Sequence, residues 1–476
     1  MRLTKTLYIP IEIIDRELGG AILLANTAVL RGWSVVLGGK QALFNNMSRF
    51  RNSPGIFFLK SVVPGELFKQ EEINFHGHRI VSLDVEGLVP SNGEAGVRLR
   101  YSEESIDKSD LLFFWGEQHF ASVRKVYPKI DRRACITGSP IIDEIKVRGA
   151  RQSTIQNPKQ KKKILIGTSC GFANHINGIE FSREMRRNAY SDNVSHAEIL
   201  ALESEAYLDL EIFEYWKQIV PLIAEIFTDC DVVLRPHPSE NTMFWRSYLK
   251  AFRNVRIDSG QPILEEMLGA NVYIHFNSTS AITSTILGIP TLMPMPPIKE
   301  ALLERVTYVT DISILAKTSA ELIDLIGKAL AQQSRKDIPK ELYLYCENLK
   351  PNAMQASNAI IDEIERKFVF SSSDLILSRR SYKERLLVFS RKSKYFLLWL
   401  LTIFFSCIGH KSQRTLPPLN AYKSAKAKQP FTSLAKLRLV MTGLIESPTL
   451  LKLKTEQISK NLFIITRVAD QHDYKA

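Results

Sequence analysis

Within Leu234-Arg-Pro-His-Pro-Ser-Glu240 a guanidinium, an imidazole and a carboxylate fall within six consecutive positions. Pro236 and Pro238 restrict the backbone on both sides of His237. The preceding Asp231–Arg235 reads as a strand, so Arg235 and His237 project from a rigid loop at its carboxyl end. An imidazole held there can hydrogen-bond a phosphate or protonate a leaving group. A second run, Ile274-His-Phe-Asn-Ser-Thr-Ser-Ala281, leads a strand into a hydroxyl-rich turn that opens a helix. Asn277, Ser278, Thr279 and Ser280, with the unpaired amides of a helix start, would make a neutral phosphate cradle. One N-cap needs a single hydroxyl, not three and an Asn. A third run, Ser82-Leu-Asp-Val-Glu-Gly-Leu88, places Asp84 and Glu86 two positions apart after another strand, where either could be the general base for an acceptor hydroxyl.

Other polar marks are weaker. Thr168 and Ser169, in Gly167-Thr-Ser-Cys-Gly-Phe-Ala-Asn174, follow a strand and could approach a phosphate. Glu12, Asp15, Arg16 and Glu17 precede the first helix and either read an acceptor or cap it. His119 follows an apolar strand; His76 and His78 flank Gly77 in a polar stretch. No P-loop, GxGxxG, GxSxG or HExxH occurs, and no cysteine pair or acidic cluster has metal-ligand spacing. These residues give no metal-ligand set.

The elements that must position these residues alternate strand and helix. Thr6–Ile14 reads as a buried strand, Gly20–Arg31 as a helix, and Trp33–Leu37 as a second strand. Short apolar runs recur at 55–59, 79–83, 111–115 and 134–137. That rhythm predicts an open parallel sheet covered by helices. A polar, basic stretch around 151–163 reads as a linker, after which the rhythm restarts at Ile164. We expect a Rossmann-like acceptor domain over 1–150 and a Rossmann-like nucleotide-donor domain over 164–345. Helices over 346–378 would pack back on the body, and 379–476 would form a basic tail. Two such α/β domains facing a central cleft would bind ligands beyond the carboxyl ends of their strands.

Composition narrows the partners. Of 476 residues, 45% are apolar and 24% charged, which excludes a disordered chain. The formal net charge is +13, but residues 379–476 hold 19 Lys and Arg against 5 Asp and Glu, and the rest is balanced. A nucleic-acid-binding core is not expected from that distribution. Residues 395–408 (YFLLWLLTIFFSCI) carry no charge and are bracketed by Arg391, Lys392, Lys394, Lys411 and Arg414. Fourteen residues fall short of the roughly 20 needed to span a bilayer, so this segment is expected to lie at a membrane surface. Acidic residues soon after Met1 speak against a signal peptide, so the expected location is cytoplasmic and peripheral to the inner membrane.

The opening LYIPIEIIDRELGGAILLA, with SLDVEGLV, GSPIID at 138–143, RPHPSE and HFNSTSAITSTILGIP, resembles the bacterial surface carbohydrate biosynthesis proteins, glycosyltransferases of the GT-B fold. The resemblance covers roughly residues 5–345. Three of its motifs are also similar to those of bacterial sialyltransferases and polysialyltransferases. It implies Glu86 or Asp84 as base, His237 on the donor phosphate and Ser278–Ser280 as its cradle, with a CMP-activated sugar as donor substrate, no metal and no cofactor. A surface polysaccharide or lipid-linked glycan would be the acceptor. Val85 stands where that acidic motif carries a carboxylate, and Ala281-Ile-Thr283 where related sequences carry Gly-x-Glu. Rival readings are a CDP-glycerol-type polyol-phosphate transferase, a sugar-nucleotide epimerase and a non-catalytic scaffold of surface-glycan assembly.

Overall fold

A computed structural model describes residues 3–87, 93–152, 161–189, 196–258, 260, 262–296, 308–332, 337–371, 434–445, 449, 453–459 and 461–467. The chain divides into two compact units. The first comprises Met1–Leu88, Gly96–Glu144 and Tyr345–Ala476; the second comprises Val89–Ala95 and Ile145–Leu344.

In the first unit, β1 is Leu3–Thr4, and six parallel strands follow: β2 (Thr6–Ile11), β3 (Ser34–Gly39), β4 (Ile56–Leu59), β5 (Arg79–Leu83), β6 (Leu111–Phe114) and β7 (Ala134–Ile136). Their spatial order is β3-β2-β4-β5-β6-β7. The apolar runs of β2 and β6 are buried on both faces, as strands covered by helices on both sides must be. Pro10, which lacks an amide donor, falls past the last residue of β2 that pairs with β4. The helix predicted from Gly20 instead begins at Ile14 and runs to Leu30. Its start is set by Glu17, whose carboxylate accepts from the amides of Glu12 (2.8 Å) and Ile13 (3.2 Å). Gly20 lies inside this helix because a Cβ there would come within 2.9 Å of the Ile141 amide nitrogen.

The second unit holds β8 (Lys163–Gly167), β9 (Asp231–Arg235), β10 (Val255–Ile257), β11 (Val272–His275), β12 (Thr291–Pro294) and β13 (Ile314–Ala316). All are parallel, in the order β10-β9-β8-β11-β12-β13. The order reverses between β8 and β11, so the loops that leave these two strands part company there. Ile164, Leu165, Val232, Val233 and Ile274 in the central strands are fully buried.

From Tyr345 the chain rejoins the first unit. The helix Ala356–Lys367 packs on Ile14–Leu30, with Lys5 paired to Glu365 at 2.9 Å and Arg31 paired to Asp362. β14 (Phe370–Ser371) then pairs in parallel with β1. The last part of 379–476 departs from the expected basic tail. The helix Leu434–Leu444 buries Leu437, Met441 and Leu444. β15 (Leu453–Ser459) and β16 (Leu462–Arg467) form a hairpin whose second strand lies antiparallel on β3. Four buried apolar residues in succession, Leu462–Ile465, outweigh the surrounding lysines, and Gly38 admits β16 because a side chain there would strike Asn461. The segment 395–408 and the middle of the 151–163 stretch lie outside the described residues. No helix among those described is long and apolar enough to cross a membrane.

Candidate functional site

Three loops leave the carboxyl ends of adjacent strands in the second unit: 168–174 after β8, 236–241 after β9 and 276–279 after β11. Glu240 ties the first two together. Its side chain is 1% exposed. Oε1 accepts from the Thr168 hydroxyl (2.7 Å), the Cys170 amide (2.9 Å) and the His237 amide (2.8 Å); Oε2 accepts from Trp245 Nε1 (3.0 Å). The hydroxyl of Thr168 is thus spent inside the fold rather than offered to a ligand. Ser169 takes a left-handed backbone (φ 54°) to turn the chain, and Gly171 lets Ser239 approach closely, since a Cβ would meet its Oγ at 2.5 Å.

His237 stands exposed above this staple. Its Nδ1 accepts from the Ser239 amide at 3.3 Å and contacts the Ser239 hydroxyl at 2.8 Å, so the neutral ring carries its proton outward on Nε2. Although the ring is accessible, the surrounding loops desolvate it enough to lower its pKa below the usual histidine value despite the nearby Glu240. His175, on the neighbouring loop, is likewise lowered by burial and by the charge of His237. Arg235 is committed to Asp258, 2.9 Å away at the end of β10. Burial opposes the ionised form of Asp258, yet the Gly260 amide and Arg235 hold it below the ordinary aspartate value.

Across the reversal point, Asn277 is left-handed (φ 45°) and delivers Ser278 and Ser280 to one side. Ser278 Oγ lies 2.6 Å from Ser280 Oγ, which lies 2.5 Å from the Tyr273 hydroxyl. Three hydroxyl protons serve two internal contacts, leaving one donor for a ligand. Thr279 is exposed beside them. His275, fully buried, is a structural part of the turn. Its Nδ1 accepts from the Ser278 amide, Nε2 donates to Ser313 Oγ at 3.0 Å, and burial drives its pKa down to about 3.

Asp84 and Glu86 belong to the first unit, at the end of β5. Asp84 is 3% exposed and is gripped by Arg100, whose Nε donates to Oδ2 at 2.8 Å. Glu86 accepts from Arg100 Nη1 and Arg16 Nη2, each at 2.7 Å. Burial pushes the Glu86 pKa up, but the two guanidiniums and Lys60 outweigh it and hold the carboxyl below its usual range. Gly87 leaves room for the ring of His119, which a Cβ would approach to 2.1 Å. His119 is buried, contacts the Tyr101 hydroxyl at 3.2 Å and has its pKa driven down to about 4 by burial. It supports the loop from below.

Sequence reasoning missed Glu240 as a staple, although it stood in the quoted motif, and missed His175, one residue past the quoted 167–174 run. It also missed Arg100, whose sixteen-residue separation from Asp84 leaves no local pattern. No group of three His, Cys, Asp or Glu suited to a metal ion occurs among the described residues.

No protein family matches the chain, and no curated protein matches it in sequence. Similar solved structures include a candidate UDP-N-acetylglucosamine 2-epimerase from Listeria monocytogenes, 12% identical with a TM-score of 0.48, the match covering 79% of this chain and 100% of that one. MnaA of S. aureus, solved with UDP, is 11% identical with a TM-score of 0.44, over 77% of this chain and 96% of that one. HepE of Anabaena, solved with UDP and glucose, is 10% identical with a TM-score of 0.39, over 76% and 99%.

Proposed function

We propose that the chain is a glycosyltransferase that takes a sugar from a nucleotide donor, CMP-linked by the motif trio, and passes it to a surface or lipid-linked glycan. The observation that carries this reading is the pair of outward donors on either side of the strand reversal. They are His237 Nε2–H and the spare proton of the Tyr273–Ser280–Ser278 chain. Both are neutral, and neutral donors suit a phosphate whose charge grows as the glycosidic C–O bond breaks. Asn277 and Ser169 shape this edge, and Thr279 lies open on it. Asp84 or Glu86 is assigned the proton of the acceptor hydroxyl. In the reaction the acceptor oxygen bonds to the anomeric carbon, its proton passes to the carboxylate, and the nucleotide leaves with the electron pair.

The test is binding of CMP, CDP, UDP and GDP to the full chain, wild type against His237→Ala. Selective binding that the substitution weakens supports the reading and fixes the nucleotide. Binding of none of the four sinks it. A second reading, a nucleotide-sugar-binding scaffold without transfer, draws on one observation: both acids of the first unit are held by Arg100. Nucleotide binding without product formation from any donor would favour it.

A further inference from the structure

The amino edge of the first sheet, opposite Asp84, carries a groove of about 860 Å³. Arg79 opens β5 there, roughly 16 Å from Asp84 at ~3.3 Å per residue along the strand. Five cations line the groove: Arg79, Lys108, Arg132, Arg133 and Lys367. The acids in it are Asp110, 3.5 Å from Arg79, and Asp107, 3.4 Å from Arg133. Arg132 and Lys367 are exposed and have no carboxylate partner among the described residues.

The groove is not only basic. Val369, which lines it, is 82% exposed, and Phe75, next to the lining residue Asn74, is 85% exposed. A soluble anion is served by the cations and gives no reason to hold an aromatic and a branched aliphatic side chain in water. A bilayer surface with anionic headgroups takes both, cations at the phosphates and apolar tips at the acyl boundary. Val369 is followed by Phe370–Ser371 on this unit, and further along the sequence come the uncharged 395–408 run and its flanking basic residues.

We propose that this amino-edge face of the first unit docks on an anionic phospholipid bilayer. Arg132 and Lys367 meet headgroup phosphates, and Phe75 and Val369 enter the interface. The inference does not depend on the nucleotide reading.

It is tested by cosedimentation of the full chain with phosphatidylglycerol–phosphatidylethanolamine vesicles, phosphatidylcholine vesicles serving as reference. Arg132→Glu with Lys367→Glu should raise the lipid concentration for half-binding at least tenfold. The control pair Lys250→Glu with Lys340→Glu, exposed on the second unit, should change it less than twofold, with circular dichroism confirming that both chains fold. Equal losses in the two pairs would mean diffuse attraction and overturn the proposal, as would no loss in either. In a second experiment, Val369→Trp should gain quenching by brominated acyl chains over the wild type, and inorganic phosphate should not relieve it. No added quenching, or weakened binding of a single-stranded oligonucleotide instead of vesicles by the Arg132/Lys367 pair, would overturn it.

Discussion

The two carboxyl edges handle charge in opposite ways. On the first unit, Glu12, Glu17 and Glu66 pair with Lys40, Lys60 and Lys69, and Asp84 and Glu86 pair with Arg16 and Arg100. An acid there can accept a proton readily only once a cation lets go. On the second, Arg235 is neutralised by Asp258, and what points outward is the neutral donors of His237 and the hydroxyl chain. That edge is open to an anion as it stands. The difference teaches that similar parallel sheets can offer a saturated surface or a receptive one, depending on which partners the neighbouring loops supply.

The contrast can be broken at its most buried point first. Glu240→Ala should strand the donors of Thr168, Cys170, His237 and Trp245 and cost about 3 kcal/mol or more, read as a large fall in the melting temperature of the second unit. Little change would mean that the staple is dispensable. Arg100→Ala should cost about 3 kcal/mol by leaving the buried Asp84 unpaired, and should raise the apparent pKa of Glu86, observable by carboxyl NMR. An unmoved Glu86 would show that Arg16 alone sets its charge.

Acidification probes both units together. His78 and His275, held near pKa 3, and His119, near 4, are neutral when folded. Their unfolded forms take a proton below about 6.5, so stability is full above that value. It is lost as pH falls from 6.5 toward 4, by about 1.4 kcal/mol per pH unit for each histidine. Urea midpoints that stay level between pH 7 and 5 would contradict this. His237→Ala should weaken nucleotide binding about tenfold, the loss of one ~1.4 kcal/mol hydrogen bond, without shifting the melting temperature. The smallest effect belongs to Arg16→Ala: its pair with Glu86 is 42% and 47% exposed, so stability should move by less than ~1 kcal/mol.

Much of this architecture was legible from local pattern. The apolar runs at 79–83, 111–115 and 231–235 correspond to β5, β6 and β9 within a residue, because a strand buried on both faces declares itself by composition. His237 could be placed at a strand end for the same reason. The grip of Arg100 on Asp84 and Glu86 was not legible, since a side chain's partner across a loop has no periodicity. Glu17 was legible as one of four candidate caps, but not as the residue that draws the first helix forward to Ile14. Strand β16 was hidden more deeply. Its partner β3 lies over 400 residues earlier, and the lysines around it raised the local charge enough to read as a solvated tail.

That late strand also bears on how the molecule is made. Residues 145–344 of the second unit leave the ribosome as one stretch and have their six strands in hand well before Leu462–Arg467 is made. The first unit begins earlier but waits for Leu462–Arg467 to cover the edge of β3. At ~5–20 residues per second, that edge stays uncovered for roughly 20–90 seconds after β3 is translated. During this interval the nascent chain presents an unpaired strand, which other chains can also recognise.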